Sequence, residues 1–356
     1  MNKFTLILLA FISQLSFSET SMMQGHPHKM SMSDHGGLPV GLMGANMHHH
    51  GFMFSIKHSY MGMKKNILDG NDISISEILS INNPLGTAPP YLSVVPSKMN
   101  MRMTMMMGMY AISKNFNLTV AAEYTSKEMT LNTYKPAMDR DLVGIFSTSS
   151  SDLSGISFGS LILLKDINGS RTHLNVSIGK SLGNNEVKGS VLTPMGSYME
   201  MTLPYAMQLG DRSIKMDLGL NSLKKINNKI SWGNQMKRTF SLSNKAWSLG
   251  DKLEFNTWVQ YKFNESAFFS SRLRAVHQQK ISGINTQIKA PIQTANPANY
   301  GGKQLHFALG VSFLSNLLPG ENNRIGIEFN VPIRQKKNGL QMKTKNQFTV
   351  GYQKSF

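Results

Sequence analysis

The residues best suited to chemistry lie between Met22 and His50, which hold six of the ten histidines and six of the 26 methionines. They occur as His26-Pro27-His28, Met30-Ser31-Met32, His35 and Met47-His48-His49-His50. Imidazole and thioether are nitrogen and soft sulfur ligands, and thioether selects Cu(I) or Ag(I) over harder cations. The chain has no cysteine, so thiolate cannot fill that role. Because the spacing is irregular, the stretch reads as a tail that collects copper or silver without a fixed coordination geometry. His26, His28, His35, Met47, His48, His49 and His50 are its candidate ligands. Residues 19–51 are rich in Gly, Ser and polar side chains and lack strand periodicity, so they are expected to be disordered on the periplasmic side of the following domain.

A second group of soft ligands alternates along the chain as Met99, Met101, Met103, Met105, Met107 and Met109. The interleaved positions carry Asn100, Arg102 and Thr104. If this is a membrane strand, lipid rejects Arg102 more strongly than thioethers. The methionine stripe is therefore expected to face lipid as unbranched apolar filler, with Arg102 in the lumen. At residues 52–62 the parity reverses: Phe52, Phe54, Ile56 and Tyr60 claim the lipid side. Met53, Lys57, Met61 and Met63 are left inside, and the three methionines become further metal candidates.

The charged residues suggest pairs across such a lumen. Arg102 and Glu123 come to similar height across the turn at Ile112 to Lys114. Glu254 approaches Arg272 and Arg274 if the turn at Asn264 carries one extra residue, because a two-residue turn would put both arginines into lipid. With inward-facing Glu328 and His306, these residues form the candidate solute path. His173, His277 and His306 lack a recognisable nucleophile motif, so no catalytic residue and no cofactor is assigned.

The elements that would position these groups are strands. From Lys343 to Phe356 the chain alternates Phe348, Val350 and Tyr352 with Gln347, Thr349, Gly351 and Gln353, ending on an aromatic carboxyl terminus. This is an oily outside and a wet inside, and a terminal Phe356 resembles the signal read by outer-membrane barrel-assembly machinery. Eleven further segments alternate similarly, at 52–62, 98–110, 116–126, 153–164, 171–182, 212–222, 229–240, 252–263, 266–277, 304–312 and 324–333. Short connections at 111–115, 165–170, 223–228, 264–265 and 314–323 alternate with long ones at 63–98, 127–152, 183–211, 241–251, 278–303 and 334–342. Twelve antiparallel strands with both ends in the periplasm follow. In the first long loop, Ser74-Ile75-Ser76-Glu77 is a capping-box pattern that predicts a short helix.

Met1–Lys3, the apolar run Phe4–Ile12 and Ser16–Ser18 read as a secretory signal, cleaved after Ser18. The net charge of +17 then loses only Lys3. Its cations are scattered and no nucleic-acid motif is present, which argues against a nucleic-acid partner and for lipopolysaccharide, lipid and small solutes. Gly41-Leu-Met-Gly-Ala-Asn-Met-His running into Gly51-Phe-Met-Phe-Ser-Ile-Lys-His, Met99 to Met109, Leu203-Pro-Tyr-Ala-Met-Gln-Leu-Gly, Ser248-Leu-Gly-Asp and Gly301-Gly302 resemble proteobacterial outer-membrane proteins grouped under the label "meta-pathway of phenol degradation". The resemblance implies a barrel and a transport role, and it supplies no functional residues. The expectation is a signal peptide at 1–18, the His/Met-rich segment at 19–51 and an outer-membrane β-barrel at 52–356. That barrel would pass small, aromatic or apolar solutes. A copper- or silver-handling protein is the first alternative and a barrel hydrolase acting on lipid the second.

Overall fold

A computed structural model describes residues 36–48, 50–136, 140–243, 245–315 and 323–356. Twelve long strands follow one another: β1 Gly51–Leu68, β2 Val94–Ser113, β3 Phe116–Tyr134, β4 Leu142–Ile167, β5 Ser170–Ser181, β6 Ile214–Lys225, β7 Ile230–Ser241, β8 Lys252–Lys262, β9 Ala267–Gln278, β10 Gly302–Ser315, β11 Asn323–Lys337 and β12 Leu340–Ser355. Each pairs antiparallel with the next, and β12 pairs back to β1, closing the sheet. Closure leaves no edge with unpaired backbone, the condition for a β-sheet in hydrocarbon. The terminal aromatic seals the seam. Phe356 N–H donates to Phe52 O (2.8 Å), and the two rings lie 5.9 Å apart.

Alternation explains the wall. On β11, Ile327, Phe329 and Ile333 stand exposed on the outside, while Glu328 and Asn330 are buried on the inside. Leu305, Leu309 and Phe313 of β10, Leu218 of β6, Val259 and Tyr261 of β8, and Phe348 and Val350 of β12 continue the apolar outer surface. This belt makes the protein an outer-membrane barrel. The tight turns use residues that tolerate left-handed backbone. Asn168 and Gly169, at φ of 52° and 72°, join β4 to β5 as a two-residue hairpin.

The strands are longer than the alternating segments that announce them. The connection expected at Arg334 to Met342 shrinks to Asn338 and Gly339, and much of that expected at Lys127 to Asp152 is strand. A strand of 20 residues tilted as barrel strands are rises about 50 Å, twice the roughly 25 Å apolar belt. Beyond the belt neither face needs to be oily, so alternation fades while pairing continues.

On the long-loop side the connections fold into the mouth. Strand pair 188–192 with 198–202, Tyr205–Met207 and Gln293–Ala295 bring Leu203, Tyr205, Met207, Ile281, Ile288 and Ile292 against inward-facing Met99, Met129, Leu131 and Met342. Tyr205 stacks edge-on against Trp247 (5.0 Å) and Tyr300 (6.0 Å). Helix α1, Ile75–Leu79, starts as its sequence predicts. Ser74 caps it, with Glu77 returning the capping-box bond to Ser74 N–H (2.8 Å).

Candidate functional site: a lumen closed by its own N-terminal segment

Residues Gly36 to His48 do not behave as the disordered segment expected at 19–51; this described part of it lies inside the barrel. The sequence gives a reason. Gly36-Gly-Leu-Pro-Val-Gly-Leu-Met-Gly-Ala-Asn contains no charge and carries apolar side chains that can be buried. Val40, Leu42, Ala45 and Met47 are buried, Leu42 and Ala45 packing on inward-facing Trp258 and Met47 on Met53, Met109 and Leu161. Gly44 adopts φ +62°, and a Cβ there would fall 2.1 Å from Asn175 Nδ2.

Backbone groups of a loop buried in a barrel need partners, and the wall supplies them. Arg324 donates from Nε to Gly36 O (2.9 Å) and from Nη2 to Leu38 O and Ser312 Oγ. Lys57 Nζ donates to Leu42 O, Gln235 Nε2 to Met43 O (2.8 Å), His173 Nε2 to Gly44 O (2.9 Å) and Asn117 Nδ2 to His48 O (2.8 Å). In the other direction Gly41 N–H donates to Glu328 Oε2 (3.3 Å). The segment enters near Phe268, at the start of β9, and leaves into β1 beside the β2–β3 turn. It is therefore a loop inserted from the short-turn, periplasmic side.

Above it a chamber of about 520 Å³ is bordered by Lys57, Glu123, Lys237, Glu254, Arg272 and Arg274 among others. Its charges are mostly paired. Arg274 meets Glu254 at 2.7 Å, Lys237 meets Asp217 at 2.9 Å, and Arg272 pairs with Glu328 while donating to Asn256 Oδ1 (2.8 Å). The β8–β9 register matches Lys262 to Phe268, one residue beyond a two-residue turn, so the extra residue anticipated at Asn264 is present and both arginines point inward. Arg272 takes Glu328 rather than Glu254. His306 is buried on the same inner wall, opposite Pro332.

Two expectations fail on β2. Met103, Met105 and Met107 line the chamber, whereas Met106 and Tyr110 are exposed outside. Arg102 is exposed, in register with outward-facing Tyr60, and Glu123 bonds inside to Ser154 Oγ (2.9 Å). The Arg102–Glu123 pair does not form. Arg102 is in register with Ser126, one outward position beyond exposed Tyr124 opposite Thr104, so the apolar outer surface of β2 and β3 ends just before it. Met53, Lys57, Met61 and Met63 do take the inward parity of β1, in register with Met109, Met105, Met101 and Met99. His26, His28, His35 and His49 lie outside the described residues; His48 is half-buried and His50 exposed.

The extracellular loops hold a separate, apolar cavity of about 1280 Å³, lined by Ile75, Leu79, Tyr91, Leu192, Met199 and Pro291 among others. Asp211 anchors the loop ahead of β6. It accepts from Ser213 N–H (3.1 Å), Ser213 Oγ (2.6 Å) and Leu249 N–H (2.8 Å) and pairs with Lys215 at 3.1 Å. Burial alone would raise its pKa; the Lys215 ammonium and these donors outweigh it and hold the carboxyl below its ordinary value.

No family model matches the chain, and no curated protein matches it. Among solved structures the fold is similar to an outer membrane channel from Pseudomonas putida F1, with a TM-score of 0.52 and 11% identity over 88% of this chain and 97% of that one. The TodX monoaromatic hydrocarbon channel, as a deltaS2 mutant, gives 0.48 at 12% identity over 87% and 91%. A Pseudomonas aeruginosa FadL homologue gives 0.44 at 10% over 86% and 90%.

Proposed function

We propose that this barrel is a channel for small apolar or aromatic solutes, taken up from outside the cell. The observation that carries this reading is the apolar cavity of about 1280 Å³ in the extracellular loops. Concave, mostly apolar sites of this kind bind compounds whose surface gains by leaving water. The loop core and the inserted segment fill much of the lumen, which suits a selective channel better than a wide general pore. The reading places the chain with the outer-membrane proteins labelled for phenol degradation. It also assigns Phe356 to engagement of barrel-assembly machinery and the basic exterior to lipopolysaccharide.

The test uses two exposed residues lining the cavity, Ile75 and Met199. Ile75→Glu/Met199→Glu should fold normally, as judged by heat-modifiable gel mobility, yet lose uptake of a radiolabelled monoaromatic into liposomes. Uptake equal to that of the unmodified protein, or none in either, overturns the proposal.

A further inference from the structure

The inward turn of β2 changes what its methionines can do. Met53 lies directly opposite Met109, Met61 opposite Met101 and Met63 opposite Met99. Directly opposed residues in an antiparallel pair have Cβ atoms about 4.5–5.5 Å apart, so two thioethers can reach one ion. Packing alone does not account for the choice of residue. All six alternate positions from Met99 to Met109 are methionine and none is Leu, Ile or Val, although the outer wall uses those freely. The stretch Met103 to Met107 borders a chamber lined by Lys57 and Glu123, where an apolar side chain gains little by burial.

The row is richest at its periplasmic end. Buried Met53 and Met109 meet Met47 from the inserted segment, and half-buried Met107 packs on them from the chamber side. Three elements thus bring four methionine side chains into one cluster beside Leu161 and Leu163, where Gln353 Nε2 lies 2.6 Å from the Met53 sulfur. Thioethers surrounded by protein favour a weakly hydrated, soft monovalent ion.

We propose that Met47, Met53, Met107 and Met109 form a binding site for Cu(I) or Ag(I) at the periplasmic end of the lumen. This site is independent of the solute cavity in the extracellular loops. The ion binds without redox change, so Ag(I) serves as the probe.

The full mature chain in detergent is titrated with Ag(I) by calorimetry. The unmodified protein should bind it, and Met53→Leu/Met107→Leu/Met109→Leu, which keeps side-chain volume close to native, should weaken binding at least tenfold with unchanged heat-modifiable mobility. Altering the tail through His26→Ala, His28→Ala, His35→Ala, Met30→Leu and Met32→Leu should leave this binding intact. X-ray absorption of the Cu(I)-loaded unmodified protein should show a sulfur shell, a measurement that stands even if the leucine variant misfolds. Failure to bind Ag(I), equal binding by a folded leucine variant, loss of binding in the tail variant, or a shell of nitrogen and oxygen each overturns the proposal.

Discussion

Arg324→Met should unlatch the entry limb of the inserted segment while leaving the barrel closed. Arg324 is buried, and its guanidinium gives two of its hydrogen bonds to the carbonyls of Gly36 and Leu38. A hydrogen bond involving a charged group contributes about 1.5–3 kcal/mol net, so the pair is worth roughly 3–6 kcal/mol. Methionine retains the apolar stem and spares the cost of burying the charge, which brings the expected loss to about 3 kcal/mol, or ~100-fold in the open population. The other anchors, from Lys57, Gln235, His173, Asn117 and Glu328, all hold residues 41–48, so release should be confined to the limb before Gly41. The chain has no cysteine, so Val40→Cys introduces a single thiol at a position now only 3% exposed. Where reclosing is faster than labelling, maleimide reactivity tracks the open population. It should rise about 100-fold in the Arg324→Met background, with unchanged heat-modifiable mobility. Labelling within threefold of the parent would show that Arg324 does not hold the segment, and the account of the closed lumen would fail.

Glu328→Gln removes one partner of the buried Arg272 pair together with the charged acceptor of Gly41 N–H; a loss of about 3–5 kcal/mol is expected in urea unfolding of the barrel, and an unchanged midpoint would refute the ion-pair assignment. Nitroxide labels at Met103 and Met105 should be quenched by water-soluble nickel chelates and the label at Met106 by oxygen in lipid; the reverse pattern would return the methionine stripe to the bilayer. Because the folded-state pKa of Asp211 lies below its ordinary 3.8, its anchoring is complete above that value and is lost as pH falls through the depressed one. Amide exchange in residues 182–213 should therefore be flat with respect to this group from pH 5 to 8 and accelerate at lower pH, and Asp211→Asn should show the fast exchange already at pH 6. Equal protection in the variant and the parent at pH 6 would remove Asp211 as the anchor.

What the sequence reveals of this barrel follows from where lipid touches it. Along Ile325 to Ile333, or Leu305 to Phe313, hydrocarbon forces one face to be apolar, and facing, register and closure can be read from parity alone. The same rule anticipates the extra residue at Asn264, because Arg272 and Arg274 could not otherwise avoid the bilayer. It gives the wrong face for Met99 to Met109, because it lets Arg102 decide between two faces that both look acceptable. Arg102 can decide the face only where lipid touches it, and the extension of β2 past the level of Tyr124 leaves no periodic trace in polar sequence. Six thioethers are neutral enough to sit on either side, so only cross-strand register with Met53, Met61 and Met63 settles the matter.

The inserted segment was hidden for a related reason. Residues 36–46 are uncharged, a sign of burial, but the segment from Gly36 to His48 gains its partners from Arg324, Gln235, His173 and Asn117, which stand far away in sequence on five different strands when Lys57 is counted with them. Each of those residues looks from its own strand like an ordinary inward polar position. Their convergence on one short loop arises only when the sheet closes, so the closed lumen is a property of the barrel's circumference rather than of any strand, and a substitution at one wall position is felt by a segment almost the whole chain away.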